Sequence, residues 1–254
     1  MSLLLRREPA LFTVLNEDAT GVWVLTCDHA SNRIPEALGT LGLTAADLER
    51  HIAWDIGAAG LTADLAGRLD AVAVLQGYSR LVIDCNRPPG VASSVPIRSE
   101  NTDIPGNIGL SAAEIACRRE EIFAPYHAAI AAALDARAAA GRRTILVTMH
   151  SFTPVYDGQV RPMHAAVLYN RQTRLAHAVL AVLRAEPDLV VGDNDPYSVS
   201  DESDYGINVH GEQRGLPCVE LEVRQDLIAD AAGQAAWAAR LARLLPAAAL
   251  VAGL

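Results

Sequence analysis

The 254-residue sequence lacks several features that would place it in a common class of protein. It has no lysine, and its 21 basic residues are arginines scattered along the chain among 30 acidic residues, giving a net charge of −9. A nucleic-acid partner needs a clustered basic surface, so we expect none. The four cysteines stand singly without a CxxC spacing, which favours reduced core thiols in the cytoplasm.

Long apolar segments and linkers are also missing. The N-terminal MSLLLRREPALF has neither the apolar stretch nor the cleavage site of a signal peptide. The apolar segment Leu244–Leu254 is about half the ~20 residues of a membrane-spanning helix. We therefore expect a soluble protein that does not bind membranes, with one domain over residues 1–254 and a sizeable core from its 51% hydrophobic content. Its oligomeric state stays open.

Apolar, β-rich runs alternate with Ala-rich helical stretches, which predicts an α/β fold with a mostly parallel central sheet flanked by helices. The predicted strands are Val22–Thr26, Val72–Gln76, Leu81–Asp84, Thr144–Met149, Ala165–Tyr169, Leu189–Val191 and Cys218–Val223. The predicted helices are Ala45–Leu69, interrupted near Gly57 and Gly60, Ala112–Ala140, Thr173–Ala185 and Asp226–Leu245. Three long polar loops, 87–110, 151–164 and 192–215, lie between them, where binding sites tend to form.

Ionisable residues lie at the ends of four predicted strands. His29 and His150 each follow an apolar run, and the carboxyl ends of parallel strands meet at one edge of a sheet, where ligands bind. One such histidine alone would more often cap a sheet through a hydrogen bond. Two at equivalent places, with acids nearby, favour a metal site, because imidazole and carboxylate groups are the catalytic ligands that zinc prefers.

The stretch ERHIAWDIGAAG offers an acidic third ligand. On a helix, His51 and Asp55 would face the same way, although an aspartate near a helix start is also favoured by the helix dipole alone. Asp28, next to His29, is a rival ligand. The choice between Asp28 and Asp55 stays open from the residues alone.

Glu220 and Glu222 alternate with apolar residues, so on a strand both carboxylates point to one face. Burying them is costly unless they are paired or bind a metal, which leaves a solvated edge strand or a catalytic acid. A glutamate beside a metal-bound water can act as general base in amide hydrolysis. Periodicity does not decide between the two glutamates.

Candidate substrate contacts lie in GYSRLVIDCNRPPG and in the loops. Arg87 is suited to a two-pronged grip on a carboxylate and Asn86 to a further hydrogen bond, although Arg87 could instead pair with Asp84. The other candidates are Arg80, Arg161, His164, Asn194 and His210.

These segments resemble the N-formylglutamate amidohydrolase family. CDHASNRIP, HIAWDIGA, YSRLVIDCNRPPG, HSFTP followed by RPMH, GDNDPY and LEVRQDLI occur in the family's order from about residue 22 to 230. The motif DHASN departs from the PHSG, followed later by DTDW, of members linked to histidine breakdown, so the chain resembles a divergent branch. The family in turn resembles the zinc carboxypeptidase-like, phosphorylase/hydrolase-like α/β fold.

The resemblance implies a role for each candidate. It implies one metal ion, Zn²⁺, with His29, Asp55 and His150 as ligands. It implies Glu222 as the general base, because LE followed by a hydrophobic residue is the matching part, and Asn86 with Arg87 for the substrate carboxylate. Ser31, Asn32 and Arg33 would shape the pocket beside His29.

The implied activity is metal-dependent hydrolysis of the linear amide of a small N-acyl amino acid, such as N-formyl-L-glutamate, in amino-acid catabolism. Alternatives are another acyl amino acid or a peptidoglycan fragment, selected by the 87–110 loop, and a small-molecule binding protein without turnover. A cysteine hydrolase built on Cys27 is disfavoured, because Asp28 beside it would raise the pKa of the thiol.

Overall fold

A computed structural model describes residues 3–4 and 8–254. Its strands are β1 Phe12–Leu15, β2 Trp23–Cys27, β3 Val72–Gln76, β4 Arg98–Ser99, β5 Thr102–Asp103, β6 Ile145–Phe152, β7 Val155–Tyr156, β8 Gln159–Val160, β9 Ala165–Leu168, β10 Val191–Asp193 and β11 Cys218–Arg224. Its α-helices are α1 Ala45–Leu48, α2 Ala58–Arg68, α3 Ala112–Arg118, α4 Ala124–Ala139, α5 Thr173–Arg184 and α6 Ala231–Val251. A π-helical turn, Arg119–Phe123, joins α3 to α4.

One seven-stranded sheet in the order β1-β3-β2-β6-β11-β9-β10 forms the centre of the fold. The four strands β3, β2, β6 and β11 are parallel. β1 runs antiparallel to β3, β9 runs antiparallel to β11, and β10 is parallel to β9. The predicted α/β fold with a mostly parallel sheet is confirmed. The expectation that all strand ends share one edge is wrong for β9 and β10.

The two faces of the sheet bury different sets of residues, because successive strand residues point to opposite sides. Odd-numbered residues such as Leu25 and Val147 pack under α2, α5 and α6. Even-numbered residues such as Val24 and Leu146 pack under the π-turn and α4. The even face is the one that carries the polar residues described below.

The predicted strand Leu81–Asp84 is wrong. This segment is a series of turns with its apolar residues buried against the even face. Side chains replace a neighbouring strand: Asn107 Nδ2 donates to the Leu81 carbonyl at 2.8 Å, and Arg118 Nη1 donates to the Val82 carbonyl at 2.9 Å. A short buried apolar run therefore has its backbone groups satisfied without entering the sheet.

The predicted helices are found in the expected parts of the chain, but several of them begin or end at other residues. Residues 49–57 separate α1 from α2, so His51 and Asp55 are not an (i, i+4) pair on one helix. The last helix begins at Ala231, where Asp230 caps it by accepting from the Gly233 amide at 2.8 Å. The edge strand β1 was not predicted, and the strand predicted at 189–191 lies at 191–193.

Within the described residues the four cysteines form no disulfide bond. Cys27, Cys85 and Cys218 are buried, as expected of core residues, whereas Cys117 is only partly buried. Over the described ranges, no helix is long and apolar enough to cross a membrane.

Gly57 precedes α2 with φ +81°, a conformation that side chains other than glycine rarely adopt. A Cβ at this position would overlap the Ile228 carbonyl oxygen, which belongs to the backbone and cannot easily move away. We predict that Gly57→Ala lowers the free energy of unfolding by about 2 kcal/mol or more.

Gly67, inside the same helix, has open space where a Cβ would stand, with no neighbouring atom within 4 Å, so Gly67→Ala is the matched control. It should raise the free energy of unfolding by ~0.5–1 kcal/mol through helix propensity. Urea unfolding of both variants and the wild type measures these changes in the free energy of unfolding. Equal midpoints would contradict the close approach at Gly57.

Candidate metal centre and active-site cavity

His29 lies two residues beyond the end of β2 and is buried. Its Nε2 is 2.7 Å from Asp84 Oδ1, and its Nδ1 is 3.4 Å from Asp55 Oδ2. Donation from Nε2–H to the Asp84 carboxylate leaves the lone pair on Nδ1, which has no hydrogen-bond partner among the described residues. A carboxylate that fixes the tautomer of a histidine in this way is typical of metal-binding histidines.

His150 is delivered by β6 on the even face of the sheet, next to Glu222 of β11 in the strand register. Its Nδ1 is 2.9 Å from Asp55 Oδ2. The Ser151 amide donates to the same Asp55 oxygen at 3.2 Å, and the Asp55 amide donates to the His29 carbonyl at 2.9 Å. Asp55 therefore joins the ends of β2 and β6.

His29, Asp55 and His150 form the candidate metal centre. One ligand atom from each lies within 4.8 Å of the others, and all three residues are buried. Two imidazoles and one carboxylate match the donor set of catalytic zinc sites, and the unpartnered Nδ1 of His29 faces this group. The residues present thus fit a divalent metal ion.

Asp28 occupies a different place from Asp55. Its Oδ1 accepts from the Tyr126 hydroxyl at 2.5 Å, and its Oδ2 is 3.7 Å from His150 Nε2. Asp28 thus lies on the side of the His150 ring away from the candidate centre. The structure brings Asp55, and not Asp28, to both Nδ1 atoms.

The ionisable groups of the candidate metal centre shift each other's pKa values. Burial raises the pKa of Asp55, but His29 and His150 outweigh it and hold that pKa far below its usual range. Burial opposes protonation of His150, yet Glu220 and Asp55 raise its pKa well above the usual value. The two shifts favour a protonated His150 beside an ionised Asp55, and a bound cation would take the place of that proton.

Glu220 and Glu222 are both buried on β11, which lies between β6 and β9, so the solvated edge strand is wrong. Burial raises the pKa of Glu222 to about 8 and that of Glu220 to about 7. Glu220 Oε2 accepts from the Thr148 hydroxyl at 3.1 Å, whereas Glu222 Oε2 has no partner among the described residues. Both glutamates line the cavity, and Glu222 is the one with a fully buried carboxylate oxygen that has no such partner.

Arg80 links the acids around the centre. It donates to Asp84 Oδ2 through Nε at 3.1 Å and Nη2 at 2.7 Å, and its Nη1 lies 3.5 Å from Asp55 Oδ1. Asp84 is thereby held between Arg80 and His29. Burial opposes the charge of Asp84, but Arg80 and His29 outweigh it and keep its pKa well below the usual value.

Asn86 and Arg87, which were expected to hold a substrate carboxylate, bind the segment 203–206 of this chain. Asn86 Nδ2 donates to Asp204 Oδ1 at 3.2 Å, and Asn86 Oδ1 accepts from the backbone amides of 205 and 206. Arg87 Nη1 donates to the Ser203 carbonyl and lies 3.8 Å from Asp204 Oδ1. The structure therefore gives these two side chains an internal carboxylate as partner.

A cavity of about 580 Å³ opens over the candidate metal centre. The centre, both glutamates, Arg80, Asn86 and Arg87 line it, together with the rings of Tyr156 and Tyr197. The Arg161 guanidinium lies 4.7 Å from the centroid of each ring and donates to the Tyr197 hydroxyl at 2.8 Å. The cavity thus has an acidic floor and an aromatic rim.

Four predicted contact residues are not part of the cavity lining. Arg161 contacts two lining residues at the rim, Tyr156 and Tyr197, and the other three lie elsewhere. Ser31 Oγ accepts from the Arg33 amide, His164 Nδ1 from the Val190 amide, and Asn194 Oδ1 from the Tyr169 amide, so each has a local structural partner. Sequence reasoning missed Asp204 and Tyr197. Tyr197 lies inside the GDNDPY motif, whereas Asp204 follows in a polar loop that gives no pattern.

His210 lies behind the cavity, paired with His127. His127 Nε2 contacts the Cys85 carbonyl at 2.9 Å, so Nε2 carries the proton, and His127 Nδ1 accepts from His210 Nε2 at 2.9 Å. Tyr205, beside Asp204, packs on the His127 ring with 4.5 Å between centroids. The neutral histidine pair thus supports the segment that Asn86 holds.

The structure is thus that of an α/β protein with a candidate metal centre in an acidic cavity. The centre and two buried glutamates lie at the carboxyl edge of the parallel strands. A family model described as N-formylglutamate amidohydrolase matches residues 22–229. The chain belongs to the N-formylglutamate amidohydrolase family, which confirms the resemblance of its motifs. Membership supports hydrolysis of an amide in N-formylglutamate-like molecules.

Solved structures share the fold. The gene product Atu2144 from Agrobacterium tumefaciens is 40% identical to this chain, with a TM-score of 0.96 over 99% of this chain and 100% of that one. The N-formylglutamate amidohydrolase from Ralstonia eutropha JMP134 is 18% identical, with a TM-score of 0.65 over 96% and 98% of the two chains, a likeness in fold alone. No curated protein matches the chain significantly.

The histidine pair gives a pH-dependent stability. Burial lowers the pKa of His127 to about 3 and that of His210 to about 4, whereas an unfolded histidine titrates near 6.5. Below pH ~6.5 the unfolded chain therefore takes up protons that the folded chain refuses, and stability is lost as the pH falls towards 4. Each histidine contributes up to ~1.4 kcal/mol per pH unit to this loss.

We predict that His210→Gln makes the fall in unfolding free energy between pH 6 and 4.5 shallower by up to ~1.4 kcal/mol per pH unit. His177 is exposed, so His177→Gln should leave the slope as in the wild type. Urea unfolding at a series of pH values measures the slopes. An unchanged slope in His210→Gln would show that His210 is not held neutral.

Proposed function

We propose that this protein is a metal-dependent amidohydrolase that cleaves the amide of an N-acyl amino acid, N-formyl-L-glutamate or a close analogue, to the free amino acid and a carboxylate such as formate. The observation that carries the proposal is the convergence of His29, Asp55 and His150 beside the unpartnered Glu222 carboxylate. Family membership supports the amide as the bond cleaved.

His29, Asp55 and His150 would hold the metal ion, for which we propose Zn²⁺ because of the two imidazoles and one carboxylate. When bound, the ion would polarise the amide carbonyl and lower the pKa of water. Asp84 holds the His29 ring through Nε2, and the Ser151 amide holds Asp55, so the ligands are oriented in advance.

Glu222 would act as the general base at Oε2. It would take a proton from the attacking water and deliver it to the nitrogen of the leaving amine, which completes the hydrolysis with all protons accounted for. Burial raises its pKa to about 8, so the carboxyl group can both accept and release a proton near neutral pH. Its position beside His150 in the register directs it to the candidate centre.

Arg80 would stabilise the negative charge that develops on the substrate during the reaction. Its guanidinium lines the cavity and already bridges Asp84 and Asp55, so it does not need to reorganise during the reaction. We propose that Arg80 orients the acyl group over the centre, with Asn86 and Arg87 fixing the wall formed by residues 203–206.

Metal content and formate release from N-formyl-L-glutamate test this function. We predict near-stoichiometric zinc in the wild type, loss of zinc and of activity in His150→Ala, and retention of zinc with a 10²–10⁴-fold loss of kcat in Glu222→Gln. His177→Ala, at an exposed histidine, should retain both. A chelator should abolish activity and added Zn²⁺ should restore it.

The outcomes separate the alternatives. Zinc without formate release would redirect the search to larger acyl amino acids or peptidoglycan fragments. Absence of metal from protein handled without chelators would contradict the metal-dependent reaction. Binding of N-formyl-L-glutamate that survives both chelation and Glu222→Gln, with no turnover by the wild type, would identify a binding protein on the same fold.

A further inference from the structure

The arginines around the cavity differ in whether their charge is already matched. Six acidic and three arginine side chains line the cavity. Arg80 contacts Asp84 and Asp55, Arg87 lies by Asp204, and Arg98 pairs with Asp103 at 2.7 Å. An anionic substrate therefore meets an acidic cavity whose lining arginines are all partnered.

Arg161 is the exception at the rim. Over residues 3–4 and 8–254, its guanidinium contacts two tyrosine rings and one hydroxyl, and no carboxylate lies within ion-pair distance. Its backbone is fixed, because its amide donates to the Pro154 carbonyl at 2.8 Å. A planar guanidinium stacked on aromatic rings keeps its donor edge available for a carboxylate at low entropic cost.

Asn86 and Arg87, unlike Arg161, already contact a carboxylate of this chain. Asp204 Oδ1 faces both side chains, and its Oδ2 accepts from the Ser203 hydroxyl at 2.5 Å and from the Ser200 amide at 3.3 Å. To bind Asn86 Nδ2 and Arg87 Nη1, a substrate carboxylate would have to displace the Asp204 carboxylate, which four groups hold. These two donor atoms are thus already engaged within the protein.

We propose that Arg161, stacked on Tyr156 and Tyr197, recognises the substrate carboxylate at the rim of the cavity, in place of Asn86 and Arg87. The inference rests on the proposed function. It also indicates the substrate class: N-acyl amino acids larger than N-formylglutamate, with a planar or apolar group on the tyrosine rings.

Cavity size and rim chemistry agree with that class. Cavities of ~300–1,000 Å³ bury drug-sized ligands, and this one, at about 580 Å³, lies within that range. Tyr156 and Tyr197 remain 38% and 40% exposed, which leaves ring surface for a ligand. Aromatic faces favour planar and apolar groups.

The inference is tested by measuring ligand affinities by calorimetry with the zinc-loaded Glu222→Gln variant, which should bind the ligands without hydrolysing them. The probes are N-formyl-L-phenylalanine, its carboxamide and N-formyl-L-glutamate. We expect N-formyl-L-phenylalanine to bind at least as tightly as N-formyl-L-glutamate, and its carboxamide to bind tenfold or more weakly.

In the double variant Glu222→Gln/Arg161→Met, N-formyl-L-phenylalanine should lose its advantage in affinity over its carboxamide, which measures the preference for a carboxylate. The affinity for the carboxamide itself should stay unchanged. Arg161→Lys keeps the charge without the planar fork and should retain part of the preference. Arg87→Met should leave the preference intact, as should Arg68→Met on α2, an exposed control. Zinc content and thermal unfolding of each variant establish that it is folded.

Loss of the preference in Arg87→Met, with its retention in Arg161→Met, would overturn the inference and return the carboxylate to Asn86 and Arg87. Binding of none of the probes by zinc-loaded protein would overturn the inference while leaving the metal centre intact. Failure of the wild type to bind zinc would instead contradict the proposed function.

Discussion

The buried Asp55 carboxylate connects the parts of the molecule from which the site is built. It accepts from the Ser151 amide, lies beside Nδ1 of both His29 and His150, and faces Arg80 on its other oxygen. Such a charge is tolerated in the interior because its hydrogen-bond and ion-pair partners are an amide donor, two imidazoles and a guanidinium. The ends of β2 and β6 and the segment before α2 therefore share one electrostatic constraint.

The acidic floor also works against stability. Burial raises the pKa of Glu220 and Glu222, so carboxyl groups on β11 resist ionisation where a hydrophobic core would have placed apolar residues. Apolar packing on the odd face, under α2, α5 and α6, compensates. The odd face thus packs an apolar core, whereas the even face combines a second apolar core with the residues of the site.

The sequence predicted the strands of the site better than its walls. β2, β6 and β11 follow from apolar runs, and the two histidines at or near the ends of β2 and β6 follow from strand direction, which brings those ends together. Asp55 lies between α1 and α2, and only the family resemblance selected it over Asp28. Leu81–Asp84 failed because its backbone partners, Asn107 and Arg118, lie far away in sequence. The contacts of Asn86 with Asp204 and of Arg161 with Tyr197 join distant loops, and no periodicity encodes such pairs.

The reversal of β9 and β10 determines the course of the chain around the cavity. Because β10 runs opposite to β11, the chain leaves it at the edge of the sheet away from His150 and Glu222. β10 therefore ends at the edge of the sheet at which β11 begins, and a short connection would be enough to join the two strands. The 192–215 loop is much longer than that connection needs, and it supplies Tyr197 and Asp204 to the cavity lining, so shortening it would remove one wall of the cavity.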